Sequence, residues 1–434
     1  MQYIEYPPIG EWPRLLARPL MDLASLEDRV APILADVRTR GDAALRDYTA
    51  RFDGVQIEDL AVGPDELAAA GALLSDDLKA AMELALHNIT RFHAAQVQPE
   101  LVVETMPGVV CRRRSVAIER VGLYIPGGTA PLFSTILMLA VPARIAGCRE
   151  IVLCTPPRRD GSVDPAIRYA AVLSGVTRLF RVGGAQAIAA MAYGTETIPQ
   201  VHKIFGPGNQ YVTLAKQLVA SEGIAIDMPA GPSEVAVVAD AQVPPAFVAA
   251  DLLSQAEHGT DSQALLLTTS PAVARAVVDE VARQVVSLPR RDIAQAALAH
   301  ARAIVLPDED SLIDMVNAYA PEHLILAVAN DEALADRIVN AGSVFLGYHT
   351  PESVGDYASG TNHTLPTNGF ARAYSGVSVD SFVKKITFQK LSPTGLRDLG
   401  PAVEHMATAE GLVAHARAVG IRLAALEEMH QRGE

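Results

Sequence analysis

The sequence predicts an α/β protein with two doubly wound, incomplete Rossmann-like parallel sheets and helical extensions at the amino and carboxyl ends. Short apolar runs alternate with Ala-rich stretches of helix length, which is typical of βαβ units in a parallel sheet. The alternation continues for longer than one sheet requires. The chain of 434 residues is also long for a single hydrophobic core, so we expect at least two domains.

The segment from residue 23 to residue 96 predicts amphipathic helices. Apolar residues such as Leu26, Val30 and Ile33 recur at helical spacing, with charged residues between them. Further on, Val109–Ile125 is rich in β-branched residues and predicts strands that lead into a loop at Pro126–Thr129.

Short apolar runs predict the remaining strands of the two sheets. The runs lie at Ile151–Cys154, Leu179–Val182, Lys203–Phe205, Val235–Val238, Ala264–Leu267, Ile304–Leu306, Leu324–Leu326 and Val344–Leu346. After Phe382 the alternation stops, and Pro401–Glu428 predicts a helix preceded by a linker at residues 391–395. Because this extension is short for a core of its own, we expect it to pack on another domain or another subunit.

The composition excludes several classes of function. Lys and Arg number 36 against 50 Asp and Glu, which gives a net charge of −14 and disfavours a nucleic-acid partner. No apolar stretch reaches the roughly 20 residues of a membrane-spanning helix, and the first residues do not resemble a secretion signal. We expect a cytoplasmic protein without a membrane segment, whose three cysteines are reduced.

Three short segments of the second half carry candidate catalytic groups. Glu322 and His323 are adjacent, Asp356 and His363 follow, and Gln255 precedes His258 by one helical turn. Such groups bind a borderline metal ion and transfer protons beside it. An adjacent Glu-His pair also occurs as a solvated surface pair, and a His near a helix end also fits an ordinary C-terminus. We expect the Glu-His pair on a βα-type loop at a sheet edge, where catalytic groups collect.

Two glycine-rich segments, Val182–Gln186 and Phe205–Asn209, each follow a predicted strand and precede a helix. This arrangement suits the approach of a phosphate to a helix amino terminus, but a tight strand-to-helix turn explains it equally well. A nucleophilic cysteine would offer a different oxidation chemistry through a thioester. Cys148 and Cys154 lie in or beside an apolar strand, so we expect buried structural thiols.

Motifs over most of the chain resemble those of the histidinol dehydrogenase family. The match runs from about residue 20 to the carboxyl end. The matching motifs are Val121–Ala130, Val182–Ala187, Ile204–Asn209, Asp227–Glu234, Gln255–Gly259 and the segments around His323 and His363.

The resemblance implies a zinc- and NAD-dependent L-histidinol dehydrogenase, which oxidises L-histidinol through L-histidinal to L-histidine while reducing two NAD+, the last step of histidine biosynthesis. It also implies one Zn²⁺ per subunit and a homodimer with shared active sites. The positions that match the family's zinc ligands are Gln255, His258 and Asp356, with His415 supplied by the second subunit.

Further roles follow from the same resemblance. Glu322 and His323 match the acid–base pair. The positions matching substrate contacts are Ser233, Gln255, His258, His323, Asp356, Tyr357, His363, Glu410 and His415, the last two from the second subunit. The positions matching nucleotide contacts are Tyr124, Gln186 and Asn209.

We expect an amino-terminal extension at residues 1–22 and a discontinuous α/β domain at 23–124 and 233–380 that carries the metal and catalytic residues. An inserted α/β domain at 125–232 is expected to bind the nucleotide, and residues 381–434 to form the helical extension that reaches the partner's site. Two alternatives remain. A related dehydrogenase acting on a sulfonated diol should lack His363 and Glu410, and a zinc-bound scaffold would make the Glu322-His323 pair incidental.

Overall fold

The structure is a computed structural model and describes residues 1–18, 24–127, 131–228 and 231–432. Outside these ranges lie residues 19–23, Gly128 and Thr129 of the predicted loop, and Pro229 and Ala230 of the motif Asp227–Glu234. Among the helices within the described ranges, none has both the length and the apolar character that crossing a bilayer requires.

The secondary structure alternates between strands and helices along most of the chain. The strands are β1 (Gln2–Glu5), β2 (Leu101–Met106), β3 (Val109–Ala117), β4 (Arg120–Tyr124), β5 (Glu150–Thr155), β6 (Arg178–Arg181), β7 (Lys203–Phe205), β8 (Ala225–Ile226), β9 (Glu234–Ala239), β10 (Gln263–Thr268), β11 (Arg302–Val305), β12 (His323–Ala327), β13 (Ser343–Leu346) and β14 (Val383–Leu391). The α-helices are α1 (Trp12–Leu15), α2 (Ala24–Arg40), α3 (Asp42–Phe52), α4 (Pro64–Ala68), α5 (Asp76–Ala94), α6 (Phe133–Ala146), α7 (Pro165–Ser174), α8 (Gly184–Tyr193), α9 (Gln210–Ser221), α10 (Pro245–Ala256), α11 (Pro271–Gln284), α12 (Arg291–Leu298), α13 (Glu309–Tyr319), α14 (Asp331–Ala335), α15 (Glu352–Tyr357), α16 (Pro393–Ala409) and α17 (Val413–Gln431).

Two parallel sheets form the larger part of the fold. One has five strands in the order β6-β5-β4-β7-β8. The other has six in the order β1-β11-β10-β9-β12-β13. In the five-stranded sheet the chain starts at the central strand β4, winds to the edge at β6 and then returns to β7 and β8 on the other side. Strands β9 to β13 of the six-stranded sheet follow the same order from β9, and β1 adds an edge strand beside β11. This is the order of a doubly wound sheet that lacks its last strand. The predicted fold class is confirmed.

The central strands are buried along their whole length, which explains why they appear in the sequence as unbroken apolar runs. All six residues of β9 and all six of β10 are buried. Helix α6 covers the five-stranded sheet and buries every residue from Ser134 to Ala143. A parallel sheet with helices on both faces requires this composition.

The chain divides into two compact units. The larger comprises Met1–Gln96 and Ile118–Phe382 and contains both parallel sheets, and the smaller comprises Val97–Ala117 and Val383–Glu434. The smaller unit has an antiparallel sheet in the order β14-β3-β2, together with α16 and α17.

Both terminal segments contain strands as well as helices. At the amino end, β1 pairs in parallel with β11 and so extends the six-stranded sheet. At the carboxyl end, β14 reaches to Leu391, and the predicted linker is the start of α16, where the Ser392 side chain accepts a hydrogen bond from the Gly395 N–H as a helix cap. The predicted single helix is two helices, because Gly411 has a φ of 76°, which a helix cannot continue through.

Candidate active site

A cavity of about 540 Å³ is lined by residues from both parallel sheets. From the five-stranded sheet come residues that follow strands, such as Pro126 after β4 and Gly206 after β7. From the six-stranded sheet come residues that precede strands, namely Ser233 before β9 and Glu322 before β12. The Glu-His pair therefore lies on an αβ loop at the amino ends of the strands, so the expected βα-type loop is wrong.

The Glu322-His323 pair is held at the point where α13 returns to the sheet. Ala320 ends the helix in a left-handed conformation with a φ of 53°, and His323 is the first residue of β12. Both side chains are buried, with 5% and 4% exposure for Glu322 and His323. Glu322 Oε2 accepts a hydrogen bond of 2.9 Å from the Glu234 backbone N–H. The pair is thus fixed in the protein and is not a solvated surface pair.

Carboxylates surround the imidazole of His323. Its Nδ1 lies 3.7 Å from Glu322 Oε2 and 3.7 Å from Glu352 Oε1, and its Nε2 lies 3.4 Å from Asp356 Oδ1. Nε2 and Asp356 Oδ1 lack hydrogen-bond partners among the described residues, because their contact does not have hydrogen-bonding geometry. The cluster concentrates negative charge around one imidazole.

This environment shifts the proton affinities of the pair. Burial raises the pKa of Glu322 to about 8, since the charged form loses its solvation. Burial alone lowers the pKa of His323, but the negative charges of Glu352 and Glu322 outweigh it and raise that pKa to about 10. The cluster therefore retains protons at neutral pH, and an added positive charge would lower both pKa values.

The predicted metal ligands meet beside this pair. Helix α10 follows β9 and runs back, so Gln255 in its last turn and His258, two residues beyond its end, reach the amino edge of the sheet. Helix α15 follows β13 and brings Asp356 to the same edge. Gln255, His258 and Asp356 all line the cavity.

Glu352 is a candidate metal ligand that the sequence analysis did not identify. Its carboxylate, the Asp356 carboxylate and the His258 imidazole each have one ligand atom within 4.8 Å of the others. Glu352 precedes Asp356 by one helical turn on α15, and this spacing in the sequence was the available signal.

The donor set fits a divalent cation. Both polar atoms of the Gln255 amide, Oδ1 of Asp356 and Oε2 of Glu352 are buried without a hydrogen-bond partner among the described residues. Buried polar atoms without partners cost free energy. Imidazole nitrogen with carboxylate and amide oxygens is a ligand set that zinc accepts.

The predicted substrate contacts of the larger unit line the same cavity. Ser233 lies just before β9, and Tyr357 is exposed at the end of α15. His363 has both ring nitrogens engaged: Nδ1 lies 2.7 Å from the Asp356 carbonyl oxygen and Nε2 lies 3.0 Å from Thr135 Oγ1. Burial lowers the pKa of His363. The ring is therefore neutral, with the proton on Nδ1, and Nε2 accepts from the threonine hydroxyl.

The predicted nucleotide contacts divide into two groups. Asn209 is exposed and lines the cavity, and its Oδ1 caps α9 by accepting from the N–H groups of Tyr211 and Val212. Tyr124 and Gln186 are buried and are not among the described residues that line the cavity. The Tyr124 hydroxyl oxygen accepts from the Gly184 N–H at 3.1 Å.

The turn after β7 is rigid and close-packed. Gly206 has a φ of 125°, and a Cβ there would lie 2.0 Å from the Tyr124 carbonyl oxygen. The Gly206 N–H donates to Asp227 at 2.8 Å and its carbonyl accepts from Lys216 at 2.9 Å, while Lys216 and Asp227 form a buried ion pair. Only glycine fits this position, and Lys216 and Asp227 are further supports that we did not predict individually.

The cysteines are unsuited to covalent catalysis. Burial raises the pKa of Cys148 to about 12 and raises that of Cys154 well above its ordinary value. Neither forms a thiolate near neutral pH, and neither lines the cavity. The prediction of structural thiols is supported for both.

The remaining two predicted site residues belong to the smaller unit. Glu410 lies directly after α16, and His415 lies in the first turn of α17. Both side chains are exposed. The break at Gly411 brings the two residues to the same turn of the chain.

Comparisons with known proteins agree on one family. A model of the histidinol dehydrogenase family matches residues 16–423. The chain is 58% identical over 427 residues to a histidinol dehydrogenase of Bacteroides thetaiotaomicron, covering 98% of this chain and 100% of the relative. It is 57% identical over 410 residues to one of Xanthomonas euvesicatoria, covering 94% and 95% of the two chains. A crystal structure of histidinol dehydrogenase from Elizabethkingia anophelis superposes with a TM-score of 0.96 at 53% identity, covering 98% of this chain and 99% of that one.

Proposed function

The chain belongs to the histidinol dehydrogenase family, and we propose that it oxidises L-histidinol through L-histidinal to L-histidine while reducing two NAD+. The observation that carries this proposal is the arrangement of His323 among three carboxylates at the wall of a cavity that also exposes His258 and Asn209. This arrangement combines a proton acceptor, a metal-binding group and a nucleotide-facing loop in one cavity.

We propose one Zn²⁺ per subunit, held by Gln255, His258 and Asp356 with His415 of a second copy of the chain. Buried oxygens of Gln255 and Asp356 that have no hydrogen-bond partner within the described ranges support this choice. When bound, the ion would orient the amino and imidazole nitrogens of the substrate and, by neutralising Asp356, lower the pKa of His323 toward that of a base effective near neutral pH.

In the first half-reaction His323 accepts the hydroxyl proton while hydride leaves the carbinol carbon for the first NAD+. Its Nε2 is the atom that takes the proton, because Nδ1 faces the Glu234 carbonyl oxygen at 3.4 Å. An imidazole that passes between its two charge states near neutral pH is an efficient acceptor. Histidinal is the product of this half-reaction.

In the second half-reaction Glu322 takes a proton from the water that attacks the aldehyde carbon. Collapse of the resulting hydrate delivers hydride to a second NAD+ and yields the carboxylate. Burial raises the pKa of Glu322, and the positive charge of a bound ion would lower it again, so the carboxylate form is available to accept this proton near neutral pH.

The nucleotide is proposed to lie along the carboxyl ends of the five-stranded sheet. The Gly206 turn and Asn209 are exposed to the cavity there, at the amino end of α9, where backbone N–H groups favour an anion. Tyr124 supports this turn from behind through close contact with Gly206. Gln186 is buried outside the lining of the cavity, and both polar atoms of its amide lack a hydrogen-bond partner among the described residues. Its assignment as a nucleotide contact therefore rests on the family resemblance.

We propose a homodimer in which the smaller unit contributes Glu410 and His415 to the partner's site. Helix α17 supports this, because none of its 19 residues is buried. Val413, Ile421 and Met429 on α17 are exposed, with 58%, 69% and 46% exposure. Exposed apolar side chains in such a number are typical of a surface that another chain covers.

The test measures NADH formed per histidinol consumed, in the holoenzyme and after treatment with a chelator. We expect two NADH per histidinol, loss of turnover on chelation and recovery with Zn²⁺. His258→Ala should lose zinc, whereas His202→Ala, a change at an exposed histidine before β7, should keep it. A chain that turns over a sulfonated diol but not histidinol, or that binds zinc without any histidinol-dependent NADH formation, contradicts the proposal.

A further inference from the structure

We infer that Arg18 is a positioning residue that holds the Glu322-His323 pair in its working orientation. The inference rests on the proposed function for the roles of Glu322 and His323, but the contacts that carry it are independent of the substrate. Arg18 does not line the cavity, and so it acts through the backbone around the pair.

The backbone of Glu234 touches both members of the pair. Its N–H donates to Glu322 Oε2 at 2.9 Å, and its carbonyl oxygen lies 3.4 Å from His323 Nδ1. These contacts fix which carboxylate oxygen and which ring nitrogen remain free toward the cavity. Any shift of the first residue of β9 is therefore transmitted to both catalytic side chains.

Arg18 holds the side chain of Glu234. Its Nε lies 2.5 Å from Oε2 and its Nη2 lies 2.9 Å from Oε1, so the guanidinium and the carboxylate form a bidentate pair. The side chains are 12% and 2% exposed, which leaves little water to compete. The Tyr319 hydroxyl lies 3.2 Å from the same Oε2 and 2.8 Å from Gln263 Oε1. Both carboxylate oxygens of Glu234 are thus held by buried polar groups.

The same guanidinium also contacts the end of α13, the segment that leads into Glu322 and His323. Arg18 Nη2 donates to the Tyr319 carbonyl at 2.7 Å and lies 3.4 Å from the Ala320 carbonyl, and the guanidinium stacks on the Tyr319 ring at 4.0 Å. Ala320 is the left-handed residue, with a φ of 53°, that redirects the chain into Pro321 and Glu322. The guanidinium of Arg18 therefore contacts both the first residue of β9 and the turn that precedes β12.

Arg18 is itself anchored to the six-stranded sheet. The carbonyl oxygen of the preceding residue, Ala17, accepts from Gln263 Nε2 at 3.0 Å. Gln263 is the first residue of β10 and is the register partner of Glu234. The contacts of Arg18, Glu234, Gln263 and Tyr319 therefore form a closed network of hydrogen bonds behind the catalytic pair.

The geometry requires arginine specifically. A lysine would keep the charge, but its compact ammonium cannot reproduce the planar fork whose Nε and Nη2 bind the two oxygens of Glu234 while Nη2 also reaches the Tyr319 carbonyl. The chain offers a matched control in Arg168, which is 6% exposed, donates to the Glu66 carbonyl at 2.8 Å and lies on α7 of the other sheet.

The test compares Arg18→Lys and Tyr319→Phe with Arg168→Lys in the zinc-loaded enzyme. For Arg18→Lys we expect kcat to fall about tenfold or more, with KM for histidinol within about threefold and zinc content unchanged, because orientation of the reacting groups is lost while binding groups remain. Tyr319→Phe removes one hydroxyl and should give a smaller loss of kcat. Arg168→Lys should keep the kcat of the unmodified chain.

A second readout does not depend on turnover. In protein labelled with ¹⁵N-histidine, the His323 signal, assigned with His323→Asn, should shift in Arg18→Lys and stay in place in Arg168→Lys. An unchanged His323 signal with unchanged kcat in Arg18→Lys overturns the inference, and so do equal losses in both lysine variants. Failure of the unmodified chain to oxidise histidinol would count against the proposed function alone, since the His323 signal still decides the role of Arg18.

Discussion

Buried ionisable side chains are concentrated around the cavity, and they differ in the contacts that each one makes. Glu322 accepts a hydrogen bond from a backbone N–H and His323 lies between carboxylates, whereas Glu352 has an oxygen without a hydrogen-bond partner in the part of the chain that the structure describes. Burial also raises the pKa of Glu352 to about 8. A site that keeps several carboxylates this close stores electrostatic repulsion, which a bound cation relieves.

One buried carboxylate outside the site gives a prediction of stability against pH. Asp53 ends α3, its Oδ2 is buried without a partner among the described residues, and burial raises its pKa from 3.8 to about 6. The folded chain therefore keeps a proton that the unfolded chain releases. Stability from this group is present below about pH 4 and is lost as the pH rises through about 6.

The substitution Asp53→Asn should remove the loss of stability that Asp53 causes above about pH 6. We expect the Tm to rise by about 2 °C at pH 7.5 and by less at pH 5, because the uncharged amide does not have to be ionised in a buried position. The measurement is thermal unfolding followed by circular dichroism at both pH values. Asp59→Asn, at an exposed carboxylate nearby, is the control and should show no such difference. Equal gains at both pH values would exclude the linkage.

Among the secondary-structure elements, the direction of each helix decides which residues meet. A helix that follows a parallel strand ends near the amino edge of its sheet, and this brings the end of α10 to the residues before β9 and β12. The short helix α15 presents Glu352 and Asp356 on one face. In the five-stranded sheet, by contrast, the amino ends of helices face the cavity, as α9 does with its cap Asn209.

Asn209 combines a structural and a proposed binding role, and substitutions can separate them. Asn209→Asp keeps an oxygen for the cap, so the Tm should stay near that of the unmodified chain, but the added negative charge should repel the nucleotide phosphates and raise KM for NAD+ several-fold. Asn209→Ala should also lower the stability by about 1 kcal/mol. Thermal unfolding and initial rates measure the two effects.

The control for Asn209 is a cap away from the cavity. Ser270 caps α11 by accepting from the Val273 N–H, and Ser270→Ala should lower the Tm without changing KM for NAD+. If Asn209→Asp leaves that KM unchanged, Asn209 serves only as a helix cap.

For the whole molecule, the exposed apolar side chains of the smaller unit support the proposed homodimer. Its helix α17 buries no residue, and its three strands include exposed Leu101, Val102 and Val103. A unit of this size needs an additional surface to bury its apolar side chains. The proposal that His415 completes the partner's metal site makes this interface part of the catalytic machinery.

Subunit complementation tests the shared site. His258→Ala and His415→Ala chains should each be inactive alone, but their co-expressed mixture should recover about a quarter of the activity, because half of the dimers are mixed and each has one complete site. The measurement is histidinol-dependent NADH formation by the purified mixture. His258→Ala mixed with Gln255→Ala should stay inactive, since no mixed dimer then has a complete site. Equal recovery in both mixtures would contradict the shared arrangement.

Local patterns in the sequence predicted the parallel strands, because a strand buried on both faces must be apolar along its whole length. The runs predicted at Val235–Val238 and Ala264–Leu267 lie inside β9 and β10. Strand β14 escaped prediction because its exposed, mixed sequence of Lys, Thr and Phe carries only a weak period. The split of the last helix depends on the backbone conformation of a single glycine, Gly411.

The doubly wound fold and the polar groups that could carry the chemistry, such as Glu322, His323 and Asp356, were predictable from the amino-acid sequence. Their meeting at the amino edge of the six-stranded sheet, the presence of Glu352 beside them and the contacts of Arg18 behind them became visible in the folded chain. The difference lies in the sequence separation of the interacting residues. Periodicity and caps are set by neighbours a few residues apart, whereas the contact between Arg18 and Glu234 depends on how distant segments pack.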